Sequence, residues 1–353
     1  MVAKLLPLAP APSRVHTAGM EEPRGVLEAP SHPDPYAWYA RLRVRQPIFF
    51  DGTLGSWVVS GPWLVQQALR HAQLRVRPAG EPVPRALQGR TVGEVFAQLV
   101  RMNDGAFHAR HRPGVDAAAA RFGEAQVAAA AEAATRDLAA RTEPDALLSA
   151  IPVQAMARLL GVPAGELDRT VAWVHDFTQG IAAGAAAAAV ERAERAAWAL
   201  MAQGQREGLP RVQAANRVAF MQQALDATAG LLGNAIRAAH SGPALDAAVR
   251  VAEVARIDPA IHNTRRFAAA DLELGGHRIA VGQGLVLVLV PECRFGHGAH
   301  ACPGERIALQ IAATALRTLQ SIAPLARTFG PARGFRPLPN ARIPVWAHER
   351  SVD

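Results

Sequence analysis

The sequence is short of lysine, cysteine and aromatic rings, and each shortage excludes something. Lys4 is the only lysine, so the net charge of +8 rests almost wholly on arginine. Those arginines are scattered, with no dense basic run, and aromatic residues make up 5% of the chain. A nucleic-acid binder needs a basic patch, and often rings on which bases stack; neither pattern is here. Cys293 and Cys302 are the only cysteines, too few for a disulfide framework, and this points to a reducing, cytoplasmic setting. No run approaches the roughly 18 uninterrupted apolar residues of a membrane span. There is no Walker loop, no dinucleotide-binding glycine fingerprint and no internal repeat.

What is present suits a large helical core. A chain of 353 residues at 50% hydrophobic content can bury one big core or two smaller ones. Residues 1 to about 30 are rich in Pro, Ala and Glu and read as a disordered leader, in which Met20 is an alternative start. One folded domain is expected over 31–353, as a monomer. From Asp34-Pro35 the pattern turns helical, with Tyr36, Trp38 and Leu42 on one side. Residues 47–50 and 57–60 read as short strands around the turn 51–55, and helix resumes over 62–71. The stretch 75–89 is broken by proline and glycine and reads as a loop. Alanine-rich helices dominate 115–205, alanine being the best helix former. Residues 214–239 read as a long buried helix crossing the domain, 271–284 as a hairpin and 285–290 as a buried strand. The expected class is mainly α with a small β portion.

Four constellations can carry chemistry. The most specific is 295–304, Phe-Gly-His-Gly-Ala-His-Ala-Cys-Pro-Gly, followed by an apolar-periodic run over 307–319. Cys302 thus stands at a helix start, where unpaired N–H groups and the positive dipole end stabilise a thiolate. Gly296, Gly298 and Gly304 allow close approach, so the loop can press its sulfur against a flat cofactor. Asp104 can cap a helix carrying His108 and Arg112, one turn apart on one face, a cation pair that suits an anion. Asp226 and Thr228 lie near the middle of the 214–239 helix, where an acid and a hydroxyl are costly unless hydrogen-bonded. Glu253 and Arg256 share a helix face, and Asp258-Pro259, then Arg265 and Arg266, follow them.

The spacing F-G-x-G-x-H-x-C-x-G at 295–304 resembles the haem-binding loop of the cytochrome P-450 family, the haem-thiolate monooxygenases, at every fixed position. The resemblance extends from about residue 34 to the end and implies that family's fold. It implies haem b (iron protoporphyrin IX) between the 214–239 helix and the 295–304 loop. Cys302 is then the iron ligand, Phe295 packs near the sulfur, and Gly296 and Gly304 shape the loop. His300, His108 and Arg112 reach haem propionates, as does Arg266, in preference to Arg265. Glu253 and Arg256 become a buried structural ion pair, and Asp226 with a hydroxyl relays protons on the oxygen side. The implied reaction is insertion of one oxygen atom from O2 into a small, largely apolar organic molecule, as in natural-product biosynthesis. Electrons are expected from a separate ferredoxin with its reductase, the acidic ferredoxin docking near Arg110, Arg294 and Arg306. The stretch 75–89 stands where the family keeps a substrate-contacting loop, and 333–345 resembles its C-terminal strand pair.

The chain departs from the family in two places. The family's acid is followed directly by threonine, whereas Asp226 is followed by Ala227; the hydroxyl comes at Thr228, turned by about 100° on a helix. Only Pro291-Glu292-Cys293-Arg294 join the 285–290 strand to Phe295, where the family inserts a short helix and a meander. That insert supplies a third partner for the Glu–Arg pair, and Arg294 is the candidate replacement. The first departure leaves open a haem-thiolate enzyme of other chemistry: peroxide-driven, isomerising, dehydrating or nitrogen-oxide-handling. The second leaves open a catalytically silent haem-binding or scaffold homologue.

Overall fold

The computed structural model of the chain describes residues 21–346; Lys4 and the alternative start at Met20 lie outside the described residues. The N-terminal half runs α1 (Tyr36–Arg45), β1 (Ile48–Asp51), β2 (Ser56–Val59), α2 (Pro62–Arg70), β3 (Leu74–Arg75), α3 (Thr91–Gln98), α4 (Gly105–Ala120), α5 (Glu124–Ala139), α6 (Pro144–Leu159), α7 (Leu167–Gly180) and α8 (Ala187–Arg206). It continues through α9 (Arg211–Ser241), α10 (Ala247–Ile257), β4 (Asn263–Ala268), β5 (Leu272–Leu274), β6 (His277–Ile279), β7 (Gly284–Val288), α11 (Glu305–Ile322), α12 (Leu325–Thr328), β8 (Gly334–Phe335) and β9 (Pro344–Val345). The fold is mainly helical with a small sheet portion, as the sequence pattern predicts.

Five strands form one sheet in the order β1-β2-β7-β4-β3. Central β7 pairs parallel with β2 and antiparallel with β4. A strand covered on both faces reads as a continuous apolar run, because successive side chains point to opposite sides. Leu285, Leu287 and Leu289 therefore join the apolar cluster under α2, while Val286, Val288 and Val290 join the one under α1. That second cluster also takes in Val26 and Ala29, which are 1% and 0% exposed. Ordered packing therefore begins inside the expected 1–30 leader, because these side chains have apolar surface to bury against β7.

Helix α9 is 31 residues long, about 46 Å at 1.5 Å per residue. Its first half packs in one core cluster with Ile307 and Ile311 of α11, and its second half in another with Ala312 to Leu319. The long helix therefore lies along the helix that starts just after Cys302. Gly230 permits a close crossing: a Cβ there would meet the Ala260 Cβ and the Arg342 carbonyl oxygen, each at 2.7 Å. This brings the C-terminal chain and the segment after α10 against the middle of α9.

The expected buried pair Glu253–Arg256 does not form. Arg256 is exposed, and Glu253 instead accepts from the buried Arg250 at 3.2 Å, one turn earlier. Arg294 does not replace the third partner either; its guanidinium donates weakly to the Pro291 carbonyl at 3.5 Å. Spacing put two charges on one face, but without a meander nothing covers that face. The buried ionic centre is elsewhere. Asp258, 2% exposed, accepts from Arg342 Nε at 2.8 Å, from Arg237 and from the Tyr36 hydroxyl. Arg342, 0% exposed, also donates to the carbonyls of Pro30 at 3.0 Å, His32 and Pro33 and lies over the Phe335 ring at 3.5 Å. One carboxylate thus ties the N-terminal segment, α9 and the C-terminal strand pair together. Burial pushes its carboxyl pKa up, but the two arginines outweigh that and hold it below the usual range. Among the described residues no helix is long and apolar enough to cross a membrane.

Candidate active site

The loop 295–304 is shaped by its backbone. The Cys302 N–H donates to the Phe295 carbonyl at 2.8 Å, and the Gly296 N–H to the Cys293 carbonyl at 2.7 Å. Gly296 has φ +74°, a conformation that a side chain would strain. Gly304 is different: its φ of −101° is ordinary, so no left-handed backbone requires glycine there. It is the residue before α11, and its N–H donates to the Cys302 sulfur. Half-buried Phe295 packs against the core cluster of α9 and α11. Cys302 is solvent-accessible. Even so, burial among protein neighbours pushes its thiol pKa up, with the Gly304 N–H and the Arg112 charge pulling the other way.

A second set of side chains converges on this loop. His108 on α4 is 7% exposed, and its ring lies 4.3 Å from that of His300. Burial, then the charges of His300 and Arg112, lower the His108 pKa, and its Nε2 has no hydrogen-bond partner. Asp104 does not cap α4 with its side chain. Its carboxylate accepts instead from the Val76 N–H at 2.8 Å and from His300 Nε2 at 3.0 Å. Burial raises this carboxyl, but those bonds and nearby cations leave its pKa lowered. Arg112 fastens the loop itself, donating to the carbonyls of Ala299 at 2.9 Å and Ala301 at 2.6 Å, with its Nε on Asp116. Arg266 on β4 is 5% exposed and feels the charge of Asp104, while Arg265 is exposed. Arg266 makes only local bonds, to the Arg265 carbonyl at 2.8 Å and to Thr264.

On α9 the acid and the hydroxyl part company. Asp226 is half-buried, and burial pushes its carboxyl pKa up against the pull of Arg336 and His175. Thr228 is 2% exposed and packed inward. Ala227, half-buried like Asp226, occupies the position next to it. The sequence alone misses Asp104 as the link between His300 and the 75–89 loop, and it misses Arg101. Arg101 follows α3 in a single 3-10 turn (Val100–Met102) and donates to Gln222 on α9 at 2.8 Å. Neither carries a local signal, since His300 lies 196 residues from Asp104, Val76 lies 28, and Gln222 lies 121 from Arg101.

Among the sites expected to dock a donor, Arg110 and Arg306 are exposed, and Arg294 is half-buried. A groove of about 540 Å³ between α10 and α11, lined by Val251, Pro303, Arg306 and Leu309, adjoins the loop.

No protein-family model matches the sequence, and no curated protein does. Solved structures do match. P450BioI, solved in complex with hexadec-9Z-enoic acid ligated acyl carrier protein, is 18% identical, with a TM-score of 0.70 over 88% of this chain and 97% of that one. P450 RauA, complexed with a biosynthetic intermediate of aurachin RE, is 21% identical, with a TM-score of 0.71 over 91% and 96%. CYP164A2 of Mycobacterium smegmatis, ligand free, is 19% identical, with a TM-score of 0.66 over 91% and 97%.

Proposed function

We propose that this chain, which has the cytochrome P450 fold, is a haem-thiolate monooxygenase acting on a small, largely apolar organic molecule. The observation that carries the proposal is the accessible Cys302 sulfur just before α11, in a loop folded back on itself by the Cys302 N–H to Phe295 carbonyl bond. The surroundings fit haem b. The orphaned His108 Nε2 and the Arg266 guanidinium, which has only local partners, suit the group's two carboxylate tails. When bound through a thiolate, haem iron supplies oxygen activation favouring O–O cleavage.

The chain's own residues then have distinct tasks. Arg112 clamps the Ala299 and Ala301 carbonyls and so fixes where the sulfur points. Asp104 orients His300 and sets its outer nitrogen, leaving the other ring nitrogen for an acid tail. Asp226, whose carboxyl pKa is pushed up by burial, can hold a proton on the oxygen side. Proton delivery by a placed group typically contributes about 10²–10⁴ in rate. The groove at Arg306 is our choice of docking site for a separate acidic electron donor. RauA was solved with a biosynthetic intermediate, and this supports a natural-product substrate for this chain as well.

A second reading is favoured by Ala227, which leaves no hydroxyl beside Asp226. On that reading the haem-thiolate centre is driven by peroxide rather than by O2 and a donor. Parallel turnovers separate the two, one with ferredoxin, reductase and O2, the other with hydrogen peroxide alone. Product in the first and little in the second supports the monooxygenase; the reverse overturns it.

A further inference from the structure

We infer that the groove between α10 and α11 is a socket in which an acidic electron-donor protein seats an apolar side chain. The inference rests on the reading that such a donor docks at Arg306, and it adds what holds the donor there. The groove measures about 540 Å³, and Pro303, the residue after Cys302, is part of its lining. Val251, 1% exposed, and half-buried Leu309 make that lining apolar. Ala248 and Ala252 keep the groove wide, because each presents only a methyl group. Among the described residues no helix or strand lies between β7 and the 295–304 loop to cover α10.

The charges around the groove decide the occupant. Arg306 lines it and is exposed. Arg256 stands one turn after Ala252, so it shares the groove-lining face of α10, and it too is exposed. Glu253, the acid nearest it in the chain, is taken by Arg250 at 3.2 Å, so Arg256 has no ion pair among the described residues. Glu305 is the acid in the lining, and the two arginines outweigh it. An acidic protein is steered to such a surface, whereas a second copy of this chain would bring its own charge of +8 against it. Exposed charge pairs hold little, and salt screens them. An apolar side chain buried in a pocket within a polar rim is what anchors a protein interface. Val249, next to Ala248, is 54% exposed and extends the apolar surface on which the donor rests.

The test titrates an oxidised acidic ferredoxin into the haem-loaded full chain by calorimetry, at low and high salt and at several temperatures, without turnover. Wild type should bind with a negative heat-capacity change, the mark of apolar burial, and should keep part of its affinity at high salt. A252W and A248W fill the groove, and each should bind at least about tenfold more weakly at both salts, with a smaller heat-capacity change. R306E should weaken binding chiefly at low salt. V281W puts the same ring at an exposed site outside the groove and should bind as wild type does. All four should keep wild-type circular dichroism. If A252W and A248W bind like V281W while R306E weakens binding, the socket is wrong and the docking side stands. If the ferredoxin does not bind wild type at all, the docking reading fails and the socket falls with it. If the chain alone forms a dimer that A252W splits, the groove belongs to a second copy and the inference is overturned.

Discussion

Ala227 is the residue at which this chain asks the most of its neighbours. It sits half-buried beside Asp226, while Thr228 is buried, so one residue's shift has turned the hydroxyl by about 100° around the helix. A227T should therefore raise the fraction of electrons that reach product, by at least about threefold, measured as product formed per NADH consumed. T228A should leave that ratio unchanged and lower stability by about 1–2 kcal/mol. An unchanged ratio in A227T, or a lowered one in T228A, would show that Thr228 serves the reaction after all. Residues whose meaning is local were legible in the sequence. Cys302 and its glycines announce themselves within ten positions, because the loop's shape is made by its own backbone. Asp104 was read as a helix cap, since Asp before a helix usually is one, but His300 and Val76 compete for its carboxylate from distant parts of the chain.

Among elements, α9 and the strands were readable because burial imposes a period. The continuous apolar run of β7 and the long apolar stretch of α9 both follow from what covers them. The Glu253–Arg256 spacing shows the limit of that method. It fixes which face two charges share, but not whether anything packs over them. The buried centre belongs to Asp258 and Arg342, 84 residues apart, and no pattern joins them. D258A should cost about 3–5 kcal/mol, because it strands Arg342 and Arg237 without their carboxylate. E253Q, by contrast, lies at a half-exposed site and should change stability by less than about 0.5 kcal/mol. Urea denaturation of both variants decides this, and equal losses would return the structural pair to Glu253.

For the whole molecule, acid should weaken the fold from about neutral pH downwards. Burial, then the Arg342 charge, lower the pKa of His262 to about 3, whereas an unfolded histidine titrates near ~6.5. Between those values the unfolded chain binds a proton that the native protein refuses, so stability falls as pH falls, by up to about 1.4 kcal/mol per pH unit from this one group. The lowered carboxyl of Asp258 adds a further loss only when pH drops through its folded value. Stability curves from about pH 7 to pH 4.5 should show this slope, and H262N should flatten it; a wild-type curve without slope contradicts the account. The arginine-borne charge of +8 sets a second expectation. R306E combined with R110E should slow reduction by an acidic ferredoxin about tenfold at low salt and much less at high salt. Salt-independent reduction, untouched by the reversals, would place the donor elsewhere. The central claim is that the Cys302 sulfur grips haem iron, and one spectrum tests it most directly. The reduced, haem-loaded protein under carbon monoxide should show the strongly red-shifted Soret band of a thiolate opposite CO, and C302H should lose it while keeping wild-type circular dichroism. A wild-type protein that binds haem without that band, or a C302H protein that retains it, would contradict the assignment.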